Sequence, residues 1–154
     1  MDTKFDPPKA RVSMLVRRPA EEVFDAITDS QTITRFWLRS SSGPLTPGVT
    51  VHWTFLVPGA EVDTTVTSFE RGRELTIAWS DGTTVSWRFS QHESGGTVVE
   101  IENAGFLGSP AEIVDAALQA TQGFTIVLCD LKVLLEGGVP AHLSRDKAVL
   151  IQTG

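Results

Sequence analysis

The chain carries a single cysteine, Cys129, in 154 residues. That excludes an internal disulfide framework and fits a reducing compartment. It has no excess of positive charge: 13 Lys and Arg stand against 19 Asp and Glu, for a net charge of −6. A protein that neutralises phosphates needs a basic face, so nucleic acid is not an expected partner. There is no run of the roughly 18–20 apolar residues that span a bilayer. The start, Met1-Asp2-Thr3-Lys4-Phe5-Asp6-Pro7-Pro8, lacks the apolar core of a secretory signal. The expectation is a cytoplasmic protein without membrane insertion. Internal repeats and low-complexity tracts are also missing. His52, His92 and His142 lie far apart and keep no metal-ligand spacing with Cys129. Gly105-Phe106-Leu107-Gly108 lacks the Gly-x-Gly-x-x-Gly fingerprint of a phosphate loop. No metal and no other cofactor is expected.

What is present is an ordinary globular composition, 41% hydrophobic and 21% charged. The length suits one domain that buries roughly 70% of its unfolded surface. Residues 1–8 are polar and proline-containing and are expected to be flexible. The domain is read over 9–138. From Lys9 to Arg18 the pattern alternates, with Val12, Met14 and Val16 on one face, as in a strand with one wet side. Pro19-Ala20-Glu21-Glu22 opens a helix whose buried stripe is Val23, Phe24, Ala26 and Ile27. Asp29-Ser30 breaks it and can cap a second short helix through Ile33, Phe36 and Trp37.

Sheet follows. Val49 to Val57 alternates strictly, and Pro58-Gly59, Arg71-Gly72-Arg73, Asp81-Gly82 and Ser94-Gly95-Gly96 separate the strands after it. Five consecutive strands joined by short turns make an antiparallel meander. Ser109, Pro110 and Glu112 then start a long helix, stopped by Gly137-Gly138 and Pro140. The tail, 139–154, contains Leu143, Val149, Leu150 and Ile151, which can pack on this chain or on a neighbour.

This order gives a curled sheet a single helical rod for cover, and a straight rod cannot fill a curved surface completely. The strand phases turn Trp53, Phe55, Trp79, Trp87 and Phe89 toward the rod, and Phe124 and Leu128 of the rod toward them. Thr64 and Asn103 fall on the same inward face, where buried polar groups need partners. Thr121 and Gln122 raise the same question. Asp63, Glu100, Glu102 and His52 alternate to the outer face. A sealed void of ~300 Å³ would cost roughly 7 kcal/mol at about 24 cal/mol per Å³. A gap of that size would therefore be either packed with rings or kept for a ligand. Cys129 reads as a small buried side chain, with no base nearby in sequence to activate it.

In these stretches the chain resembles the START-like (SRPBCC) superfamily with the helix-grip fold, in its activator of heat-shock protein 90 ATPase homologue-like branch. The resemblance rests on Pro19-Ala20-Glu21-Glu22-Val23-Phe24-Asp25-Ala26-Ile27-Thr28-Asp29, the Phe36-Trp37 pair and Gly43-Pro44-Leu45-Thr46-Pro47-Gly48. Trp79, Val85-Ser86-Trp87-Arg88-Phe89 and the helix end Leu131-Lys132-Val133-Leu134-Leu135-Glu136-Gly137-Gly138 complete it. The family often has Gly-Trp in the last helix where this chain has Gly123-Phe124, and paired tryptophans where Phe36 precedes Trp37. The resemblance implies an α+β fold: a seven-stranded curved antiparallel sheet wrapped around a long C-terminal helix, with two short helices after the first strand. The seventh strand is expected near Leu38–Ser41.

The resemblance also implies an internal hydrophobic cavity. The expected activity is non-catalytic binding of a small hydrophobic molecule, by a carrier or sensor. The cavity lining would be Trp53, Phe55, Thr64, Trp79, Trp87, Phe89, Asn103, Phe124 and Leu128. Two alternatives stand beside it. One is a cyclase- or aromatase-like enzyme on an apolar substrate, for which the sequence supplies no catalytic residue. The other is a co-chaperone-type interaction module. Co-chaperone members of the family carry a further N-terminal domain that contacts the chaperone; none is expected in this length, so that role is the less expected one. A homodimer is compatible with every reading.

Overall fold

The computed structural model describes residues 4–153. Met1–Thr3, part of the segment expected to be flexible, and Gly154 lie outside the described residues. Strand β1 (Ala10–Val16) leads into helices α1 (Ala20–Thr28) and α2 (Ser30–Phe36). Strands β2 (Ser40–Ser41), β3 (Thr50–Thr54), β4 (Glu61–Glu70), β5 (Glu74–Trp79), β6 (Thr84–Gln91) and β7 (Thr97–Ala104) follow. The chain then runs through helix α3 (Pro110–Gly137) and helix α4 (Leu143–Thr153). The seven strands form one sheet in the order β1-β7-β6-β5-β4-β3-β2. Every neighbouring pair in it is antiparallel.

Two of the helix starts are capped by side chains. The Asp29 carboxylate accepts the Thr32 N–H at 3.1 Å and so caps α2. Ser109 and Glu112 form a reciprocal capping box at α3. Gly138, at φ 73°, ends α3 in the left-handed region that glycine enters without a Cβ penalty. Between Val66 and Ser68 the β4–β5 register slips, so Thr67 is an extra residue on β4. Such a bulge bends its strand and increases local twist. It also switches the inward face from Val62, Thr64 and Val66 to Phe69, which meets Phe24 of α1 edge-on at 5.0 Å.

The core lies between the concave face of the sheet and α3. The last turns of α3 are tied to the end of β1. Lys132 Nζ donates to the Leu15 carbonyl at 2.6 Å, and the Arg17 N–H donates to Glu136 at 2.9 Å. The strand expected over Val49–Val57 is shorter, ending at Thr54. Phe55 then turns back through its N–H to the Ala60 carbonyl at 2.9 Å. The tail is a helix. Its apolar residues follow no 3.6-residue stripe, and among those whose burial is described only Ala148 is fully buried.

Candidate functional site

The aromatic residues expected to wall a cavity largely pack against one another, around a ring from α2. Trp37 is the C-terminal cap of that helix, and its N–H still bonds the Ile33 carbonyl at 3.0 Å. This turns the indole into the sheet. Its ring lies 5.2 Å from Trp53, 5.7 Å from Phe124 and 5.9 Å from Trp87. Phe55 and Trp79 follow at 6.2 and 6.4 Å. Most of these contacts are tilted or edge-to-face, the arrangement the ring quadrupoles favour. The expected gap between rod and sheet is therefore filled at its centre by Trp37.

A cavity of about 290 Å³ remains beside this cluster, open to solvent. Its aromatic wall is Trp37, Phe55, Trp79 and Phe124, with Trp79 and Phe124 stacked at 6.1 Å and 19° between planes. The rod contributes Ala120, Gly123, Ile126 and Val127, and the β3–β4 turn adds Leu56 and Val57. The last side is α4, through Ser144, Lys147, Ala148 and Ile151.

Of the nine residues expected from the sequence, Phe55, Trp79, Asn103 and Phe124 line this cavity. Trp53 and Trp87, 0% and 1% exposed, are behind Trp37. Thr64 is fully buried on β4, directly opposite Trp79 on β5. Phe89 lies at the α1 end, with its ring 5.3 Å from Phe24, and Leu128 is one position beyond the lining residue Val127, inside the core. The alternation along strands gave the face of each residue correctly but not its depth along the sheet axis. Thr121, also singled out, bonds back to the Ala117 carbonyl at 2.7 Å.

Sequence reasoning missed the α4 wall and the residue that holds it. Asp130 is 2% exposed on α3. Its two oxygens accept the Leu143 and Ser144 N–H groups at 3.0 and 2.7 Å, capping α4 from another helix. The available signal was an acid within an apolar stripe: Asp130 lies three residues after Val127 and four before Leu134, both buried.

The polar groups of the cavity are few. The Asn103 amide donates to the Thr84 carbonyl at 2.9 Å. Trp79 Nε1 and Ser144 Oγ, on two lining residues, are buried with no hydrogen-bond partner among the described residues, as are Trp53 Nε1 and Thr64 Oγ1 behind them. Lys147 is the single ionisable side chain on the lining. The perturbed titrating groups lie elsewhere. On the outer face, His52 is held above its ordinary value by hydrogen bonding to Asp63, 2.8 Å away, with Glu61 adding to it. Asp25 of α1 is held low by the two hydrogen bonds it accepts from Arg71, at 2.9 and 2.6 Å. Glu136 is held low chiefly by Lys132, 2.7 Å away. Among the described residues no three His, Cys, Asp or Glu side chains gather where they could hold a metal. The arrangement can enclose an apolar body and offer it a few donors.

Solved structures with this architecture are numerous. The protein SSP2350 from Staphylococcus saprophyticus is 28% identical, with a TM-score of 0.74 over 86% of this chain and 95% of that one. The Aha1 protein of Colwellia psychrerythraea, solved as a dimer in solution, is 18% identical with a TM-score of 0.73 over 84% and 96%. CalU16 from Micromonospora echinospora is 21% identical with a TM-score of 0.67 over 92% and 84%. No curated protein matches the chain in sequence. The family described as Activator of Hsp90 ATPase homolog 1-like protein matches residues 17–136. With its seven-stranded sheet gripping α3, the chain belongs to that family within the START-like superfamily.

Proposed function

We propose that this protein binds a small hydrophobic molecule in the cavity between α3, the aromatic wall and α4, as a non-catalytic carrier or sensor in the cytoplasm. The observation that carries the reading is the composition of the lining: of its fifteen residues, one is ionisable and none is Asp, Glu or His. Acid–base catalysis needs an ionisable group aimed at the reacting atoms. A wall of rings and aliphatic side chains with a few polar atoms instead fits retention of an apolar guest. The binding unit is residues 9–138 together with the tail 139–154, because α4 supplies one side.

The test is a panel of small apolar compounds, aromatic and aliphatic, scored by melting temperature and tryptophan emission. A binder at a hundred times its Kd adds about 2.7 kcal/mol of stability. For a domain of this size that raises the melting temperature by roughly 5–10 °C. A panel that moves neither the melting temperature nor the emission overturns the reading.

A further inference from the structure

The charge around the cavity opposes the charge of the protein. The chain as a whole carries −6. Yet the cavity lining contains Lys147 and no acid. A second hollow shares Leu56 and Ala148 with it and is lined by Arg39 and Arg145, again without an acid. The Arg39 guanidinium donates to the Leu56 carbonyl at 3.3 Å, and neither Lys147 nor Arg145 forms a salt bridge with any described residue. Of the two nearest acids in the sequence of α3 and α4, Asp130 is engaged by two backbone N–H groups of α4, and Asp146 lines neither hollow. Ser144 Oγ and Trp79 Nε1 add two unpartnered polar atoms to the same lining.

Shape narrows the guest further. The stacked Trp79 and Phe124 rings are flat walls, and about 290 Å³ is at the lower limit of ligand sites, ~300–1,000 Å³. That volume takes one or two fused rings, and the flat walls match their faces.

Resting on the cavity reading above, we infer that the ligand is a one- or two-ring aromatic acid, its ring against Trp79 and Phe124 and its anionic group at Lys147. An ammonium with no carboxylate partner forms a charge-assisted bond to such an anion, and the half-buried setting screens it less than open water does. Lys147 and Ser144 are both contributed by α4.

The experiment is calorimetric titration of the full chain with 2-naphthoate and with 2-naphthamide, which has the same ring and shape but no charge. Naphthoate is expected to bind about tenfold tighter, the effect of one charge-assisted bond at a half-exposed position. K147Q is expected to bring that ratio near one, and 0.5 M salt to shrink it. The exposed variant R73Q, in the β4–β5 turn at the α1 end of the sheet, removes the same net charge and leaves the ratio as it is. Equal binding of the two probes to the unaltered chain overturns the inference while leaving the cavity reading intact. Binding of neither probe also overturns the inference, and the cavity reading falls with it only if the apolar panel fails as well.

Discussion

Gly123 is the residue at which the cavity can be closed with least disturbance. It lines the cavity within α3, and a Cβ built on it meets nothing within 4 Å. Its backbone is helical, so alanine is accommodated. Gly123→Ala should raise stability by up to about 1 kcal/mol, the helix-propensity difference, with ligand affinity little changed. Gly123→Leu sends a branched side chain into the cavity. It should keep the fold but weaken any apolar guest by tenfold or more, read by calorimetry alongside chemical denaturation. A Leu variant that binds like the parent places the guest elsewhere. The sequence shows Gly123-Phe124 as a departure from Gly-Trp, but it does not reveal which part of the cavity the glycine opens. That depends on the depth at which Trp37 enters, and an indole one residue past a helix end carries no mark of its direction. Phe55, Trp79 and Phe124 were legible because strand and helix periods fix their faces. Phe89 and Leu128 share those faces but lie further along the core.

Helix α4 is the element on which the cavity's last wall depends, and its attachment is narrow. Asp130 caps it across the core, and Ala148 is its fully buried contact among residues whose burial is described. Asp130→Ala leaves two N–H groups without their acceptor, a loss of about 1–3 kcal/mol. Hydrogen exchange over residues 143–151 should rise many-fold, while β5, β6 and β7 stay protected. Unchanged protection of α4 would show that the carboxylate does not hold it. The other elements were readable because caps, turns and alternation agreed: the Ser109–Glu112 box, the Asp29 cap and the Asp81-Gly82 turn each stand where an element begins or ends. In the tail Val149-Leu150-Ile151 run consecutively, which fits neither period. The helix is held instead by a tertiary contact from Asp130, whose mark in the sequence, an acid in the apolar stripe of α3, lies outside the tail itself.

At the scale of the whole molecule, the curved sheet and the rod do not enclose one large void. Trp37 fills the middle, and the remaining space lies beside α4. The meander and its single helical cover followed from the residue pattern and the seven-stranded architecture from the family resemblance, whereas the placing of β1 beside β7 emerges only in the structure. The division of its interior did not, since it depends on how six aromatic rings share the concave face. The four tryptophans offer a direct view of that division through their indole N–H resonances. On titration with 2-naphthoate, the Trp79 indole signal should shift most, with backbone signals of 123–127 and 144–151 moving alongside. Trp53 and Trp87, sealed behind Trp37, should stay nearly still. Saturating shifts confined to the outer face around His52, or equal shifts at all four indoles, would contradict a guest seated between α3 and α4.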